Sequence, residues 1–254
     1  MAVWMAACTT TVTTSSGAVI EAPPGAEQVD IERRVAVRME LAGMYYSRGQ
    51  YDIALNEIKA VLQSKPNLGP AYALRGLVYS SMGDEALADD NFNRALQINP
   101  RDGDTLHNRG WFLCQRNRFA EADQQFEQAL ALPQYRDAQR TLLAQGVCLA
   151  RAGKLEEAER KLSRAYELDP ANPTTAFNLA EVLYRRGELE RARFYARRVN
   201  QREEFSNAQT LWLALRIENR MGNRNAVDDY GRQLRNRFPQ ASETLAYERG
   251  RLDD

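Results

Sequence analysis

Small residues recur along the chain at a fixed interval. Ala54, Ala88 and Ala122 are 34 residues apart, and after a slip of two residues Ala158, Ala192 and Ala226 keep the same step. A second small-residue series runs through Ala42, Gly76, Gly110, Gly146, Ala180 and Ala214. Three positions beyond it stand the large residues Tyr45, Tyr79, Leu113, Leu149, Leu183 and Ile217. Turn-forming residues recur as Gly49, Gly83, Asn117, Gly153 and Gly187, with Gly222 one place late. Pro66, Pro100 and Pro170 close units, and Pro133 and Pro239 lie one place off. This self-similarity predicts six units, 35–68, 69–102, 103–136, 139–172, 173–206 and 207–240, with an insertion near 136–138. Each unit reads as two antiparallel helices joined by a turn.

The spacing has a packing logic. Small residues at the eighth and twentieth positions of a unit let two helix backbones approach closely. Ile58, Phe92, Phe126 and Leu162 at the twenty-fourth fill the space around that contact. Glycine between the helices supplies the left-handed turn, and proline stops the second helix. The pattern resembles the tetratricopeptide repeat, which implies an all-α fold whose helix pairs stack into a right-handed superhelix with a concave groove. Unit five, with Ala196 and Val199 where larger residues are common, and unit six fit least well. Residues 241–254 read as a polar C-terminal cap or tail.

The amino terminus carries a different signal. Met5-Ala6-Ala7-Cys8 resembles the cleavage box of bacterial lipoproteins, which implies that Cys8 receives lipid. Two departures stand against it: Met5 occupies a place where Leu is usual, and the preceding segment lacks a complete apolar run. The alternative is a stray cysteine in an N-terminal tail. Residues 9–28, rich in Thr, Ser, Pro and Gly, are expected to form a disordered tether between anchor and repeats. Thr9 rather than Asp after the cysteine points, by resemblance to lipoprotein sorting, to the outer membrane.

Composition narrows the function. The 254 residues carry 34 Lys+Arg against 34 Asp+Glu, so the positive surplus of a nucleic-acid-binding domain is missing. Histidine occurs once, at 107, no two cysteines lie at metal-ligand spacing, and there is no glycine-rich phosphate loop. No metal, cofactor or small-molecule substrate is expected, and an enzyme is the wrong class. Glu156-Glu157 and Asp228-Asp229 are helix neighbours that point to different sides and read as solvated faces.

Cys114 and Cys148 fall on first helices of adjacent units, where contact is geometrically possible. In an oxidising periplasm they would tend to bond; as buried free thiols they would serve as small hydrophobes. The groove-facing positions of the units give Met39, Tyr46, Ala73, Leu77, His107 and Trp111. They continue with Val147, Arg151, Phe177, Glu181, Tyr184, Arg185, Leu211 and Asn219. This is an apolar and aromatic surface with scattered charge, suited to an amphipathic helix or an extended peptide. His107 reads as a polar groove contact and Trp111 as the strongest single contact candidate. Tyr45 is assigned to the core and Tyr46 to the groove.

The layout of a lipoprotein-like Cys8, a short tether and six units is similar to that of the type IV pilus biogenesis and stability proteins PilF and PilW. Residues 33–54, 108–114 (Asn-Arg-Gly-Trp-Phe-Leu-Cys) and 230–239 (Tyr-Gly-Arg-Gln-Leu-Arg-Asn-Arg-Phe-Pro) are similar too. The resemblance implies a pilotin on the periplasmic face of the outer membrane. Such a protein binds the secretin subunit, promotes its outer-membrane insertion and multimerisation, and supports pilus assembly and twitching motility. The family's paired cysteines also match Cys114 and Cys148. Other readings of the same fold are a generic envelope scaffold and a cytoplasmic co-chaperone.

Overall fold

A computed structural model describes residues 11–13, 19–21 and 26–252; Cys8 lies outside the described residues. Where a disordered tether is expected, Thr11–Thr13 (β1) and Val19–Glu21 (β2) pair antiparallel, Thr11 opposite Glu21. Both runs are rich in β-branched residues, whose side chains favour extended backbone. The first helix begins at Ala26 and so takes in the last three residues of the expected tether. The other regular elements described are helices.

The chain divides into two compact units, up to Pro100 and from Arg101 onward. The first contains α1 (Ala26–Ser47), α2 (Tyr51–Ser64), α3 (Gly69–Met82) and α4 (Glu85–Ile98). Helices α1 and α2 form one antiparallel pair and α3 and α4 the next, and α2 packs on α3. Its core is Val35, Ala42, Ala54, Ile58, Val61, Ala71 and Val78.

The second unit holds four further pairs: α5 (Gly103–Gln115) with α6 (Phe119–Leu130), and α7 (Ala138–Arg151) with α8 (Leu155–Leu168). Then come α9 (Pro173–Arg185) with α10 (Leu189–Asn200), and α11 (Ala208–Arg220) with α12 (Arg224–Arg237). Within it the second helix of each pair packs on the first helix of the next, and the first helices of successive pairs touch. A last helix, α13 (Ser242–Glu248), covers α11 and α12. The C-terminal cap is built on Gly231, where an added Cβ would meet the Tyr247 ring at 2.1 Å. Thr244 ties it down by donating to the Phe238 carbonyl at 2.7 Å.

Backbone proximity within a pair is set by matched sizes. A Cβ on Gly76 would lie 3.1 Å from the Phe92 ring, one on Gly110 2.7 Å from Phe126, and one on Gly146 2.6 Å from Leu162. Phe92, Phe126 and Leu162 are fully buried. The fifth pair solves the same problem with smaller parts, Ala180 and Ala196, both buried.

The interhelix turn requires a left-handed residue, and Asn117 (φ 61°) fills that role where the other pairs use glycine. Asparagine is among the few side chains that adopt this conformation readily. In the last pair Gly222 (φ 75°) takes the position, one residue later than the 34-residue count. The cause lies upstream: a 3-10 turn, Glu203–Phe205, lengthens the connection, so α11 starts at Ala208. One residue turns an α-helix by about 100°, so the groove positions of α11 move off the 34-residue count, although Ala214 and Ile217 stay in the core.

Gly43 sits inside α1 with nothing within 4 Å of an added Cβ, in contrast to Gly110. Gly43→Ala is expected to stabilise the protein by about 0.5–1 kcal/mol through helix propensity. Gly110→Ala is expected to destabilise it, because overpacking costs about 1–3 kcal/mol and exceeds the propensity gain. Urea denaturation of the two variants checks the opposite signs.

Candidate functional site

With α11 in its shifted frame, the first helices of the second unit present two rows. One runs His107, Leu143, Phe177, Trp212, and the other Trp111, Val147, Glu181, Arg216. Trp111, Val147, Phe177 and Trp212 are half-buried, and Glu181 is exposed. Near the C-terminal end the rows enclose a depression of about 280 Å³ lined by Phe177, Glu181, Gln209, Trp212, Leu213, Arg216 and Glu243. A second, of about 440 Å³, shares Phe177 and extends over Pro173, Asn178, Val199, Phe205 and Thr210. Counting by 34 gives Leu211 as the groove residue, but Leu211 is fully buried in the C-terminal core. Trp212 takes its place. The signal for this was present in the sequence as the late Gly222.

The thirteenth positions form a ladder of arginines. Arg185 donates to the Ala150 carbonyl at 3.0 Å, and Arg220 to the Tyr184 carbonyl at 3.1 Å. Arg151 reaches back to Asn117 Oδ1 at 3.3 Å. Arg185 and Arg220 thus place a cation on the exposed carbonyls that end the preceding first helix, where the helix dipole is negative. Arg185 is therefore engaged in joining pairs, while its side chain stays exposed. Tyr184 is not a free groove residue: it is 6% exposed, and the guanidinium groups of Arg216 and Arg220 each lie 5.0 Å from its ring centroid. Arg216 Nε is buried without a hydrogen-bond partner. It is an unused donor beside Trp212 and Glu181.

His107 also differs from the expected groove contact. It is 7% exposed and its ring is packed 5.9 Å from that of Phe126. Arg140 donates from Nε to His107 Nε2 at 3.0 Å. Since arginine can only donate, Nε2 is the unprotonated nitrogen, and Nδ1–H donates to Thr141 Oγ1 at 2.8 Å. The Tyr135 hydroxyl, 2.7 Å from the same Oγ1, completes the chain. Burial, reinforced by the positive charge of Arg140, pushes the His107 pKa down to about 4. The insertion near 136–138 accounts for this: it brings Tyr135 against Gly103 and Arg140 over the imidazole.

In the first unit, Met39 and Tyr46 are half-buried and pack against its core, as does Tyr45, so the expected split between the two tyrosines is not seen. Tyr46 accepts from Ser81 at 3.4 Å and its ring lies 6.2 Å from that of Tyr51. Leu77 is half-buried.

Cys114 and Cys148 are joined by a disulfide that ties α5 to α7, with Cα atoms 5.7 Å apart. Both residues are buried. Among the described residues, no three His, Cys, Asp or Glu side chains are grouped to hold a metal ion. Among the same residues, no helix is long and apolar enough to cross a membrane.

Stacked helix pairs with small–large matching define a helical repeat scaffold of the tetratricopeptide class. Models of the tetratricopeptide repeat match residues 69–102, 91–124, 108–173 and 149–212. The crystal structure of PilW, described as a widely conserved type IV pilus biogenesis factor, superposes with a TM-score of 0.78 at 31% identity. That match covers 84% of this chain and 97% of PilW. The structure of Pseudomonas aeruginosa PilF shares the fold, with a TM-score of 0.77 at 24% identity, covering 87% of this chain and 99% of that one. In sequence, the type IV pilus assembly protein PilF of Pseudomonas aeruginosa is 27% identical over 195 residues, 77% of each chain. The chain belongs to the PilF/PilW family of tetratricopeptide-repeat proteins of type IV pilus biogenesis.

Two predictions follow from the buried groups. Because folding lowers the His107 pKa, its neutral form stabilises the protein above the ordinary value of 6.5. That contribution drains away as pH falls from 6.5 toward 4. The loss is about 3 kcal/mol in full. It is read as the pH dependence of the stability difference between the wild type and His107→Gln, in which other titrating groups cancel. As the protein has one histidine, its single imidazole resonance should titrate near 4; titration near 6.5 would exclude the buried neutral form. Separately, the disulfide closes a segment with a sequence separation of 34. Replacing both cysteines by alanine should lower stability by about 3–4 kcal/mol, measured by urea denaturation without reductant.

Proposed function

We propose that this protein is a pilotin: a lipoprotein anchored through Cys8 to the periplasmic face of the outer membrane, which binds the secretin subunit of the pilus machine. In this reading it promotes secretin localisation and multimerisation, and so supports pilus assembly and twitching motility. The observation that carries the proposal is the near full-length kinship to PilW. The surface supports it physically. Phe177 and Trp212 offer half-buried aromatic walls, and the Arg216 guanidinium borders the same depression. A peptide segment that inserts an apolar side chain between the rings and a carbonyl or carboxylate toward Arg216 satisfies both. Binding is stoichiometric: it shields apolar secretin surface until subunits replace that cover with one another. Several acyl chains on Cys8, at about 0.8 kcal/mol per buried methylene, would hold the protein at the membrane.

Pull-down from envelope extracts with the lipidated protein tests the partner, and palmitate labelling with Cys8→Ala tests the anchor. Trp212→Ala is expected to lower secretin recovery by about tenfold or more, since buried tryptophans at such contacts contribute about 2 kcal/mol or more. Recovery of other envelope proteins without secretin would favour a general scaffold and sink the pilotin reading.

A further inference from the structure

The face of α10 turned away from the α9 groove carries a second cluster. Phe194 is 58% exposed, the most exposed aromatic side chain among the described residues, and its ring sits edge-on to Tyr195 at 5.1 Å. Depressions lie on either side of the neighbouring Arg198. One, of about 400 Å³, is bounded by Phe194, Arg193 and Arg197. The other, of about 330 Å³, has a largely apolar lining that includes Pro170, Ala176, Val199 and Phe205. Arg198 and Gln201 border both.

The charges here are not equivalent. Arg193 is paired with Glu190 at 2.5 Å, Arg197 with the buried Glu218 at 2.8 Å, and Arg202 with Glu204 at 2.6 Å. Arg198 has no carboxylate partner among the described residues; its guanidinium lies 5.9 Å from the Tyr166 ring. One free, ring-steadied cation thus stands between an exposed phenylalanine and an apolar hollow. An anionic bilayer calls for a cluster of about 4–8 Lys or Arg, and here the charges of Arg191, Arg193, Arg197 and Arg202 are offset by carboxylates of this chain. A single free arginine between two discrete depressions instead matches one carboxylate flanked by apolar side chains.

We propose that this face of α10 is a docking site for an acidic peptide segment, with a carboxylate on Arg198 and an apolar side chain in the adjoining hollow. It differs from the groove reading in using none of Trp111, Phe177, Trp212 or Arg216, although its apolar hollow shares Val199 and Phe205 with the second groove depression.

The test uses the full chain and fluorescent 12-residue peptides carrying one Leu or Phe with an Asp one, three or four positions away, each matched by an Asn version. At least one Asp peptide is expected to bind saturably and about tenfold more tightly than its Asn twin. Arg198→Gln should abolish that difference, Phe194→Ala should weaken both peptides, and Trp212→Ala should change neither. Equal binding of Asp and Asn peptides, no saturable binding of any, or an Asp preference surviving in Arg198→Gln would overturn the proposal. So would Arg198-dependent binding confined to phosphatidylglycerol vesicles. Thermal melts of each variant, unchanged within a few degrees, separate lost contact from lost fold; a variant that melts lower is replaced by Arg198→Lys, expected to keep most of the Asp preference.

Discussion

The contact between the two helices of a pair is the constraint on which the structure depends. Where Gly76, Gly110 or Gly146 removes a Cβ, a buried Phe92, Phe126 or Leu162 occupies the freed space. That places the backbones close enough for the flanking residues of both helices to interdigitate, as dense packing requires. A pair so joined still exposes one apolar flank and is incomplete until the next covers it. Covering it sets the angular position of each first helix, and thereby which side chains reach the groove. The make-up of the groove face is thus a consequence of a core contact beneath it.

Links between pairs are polar where the core cannot reach. Arg186 and Arg191 both bond Glu159, whose side chain is only 12% exposed, so helix α8 is tied to the turn and helix that follow α9. Gln145, fully buried, donates to Asp123 at 2.7 Å and Glu127 at 2.6 Å and so bridges α7 to α6. Charge-assisted bonds of this kind are stronger than neutral ones and directional. They fix the register between neighbours that apolar surfaces alone would leave free to slide. The exposed pair Arg164–Glu167, by contrast, contributes little.

The repeat was legible because its determinants are local. The left-handed turn residues and the small–large matches sit where the repeat puts them through the fourth pair, once the two-residue slip before that pair is counted, and of the closing prolines only Pro133 stands one place off. The groove was read less well, for two physical reasons. A connection lengthened before α11 rotated that helix, so Leu211 went to the core and Trp212 to the surface. Long arginines from neighbouring helices covered Tyr184 and His107, which a one-helix projection leaves open. Helical periodicity reports the face a residue occupies; what lies over that face comes from a different part of the chain.

The arginine-covered tyrosine couples these levels. Arg220 both bonds the Tyr184 carbonyl near the end of α9 and lies over the Tyr184 ring, while Arg216, on the same ring, borders the groove depression. A ligand acceptor that engaged the Arg216 guanidinium would draw on a side chain that already helps hold α11 against α9. Binding and stacking would then reinforce each other, because a guanidinium pinned at one end loses less freedom when the other end is bound. The terminal pair has only α13 beyond it and gains most from such reinforcement. On the proposed reading, that favours the α9–α11 groove over His107, whose two ring nitrogens are already bonded to Thr141 and Arg140, as the place where a partner segment is gripped.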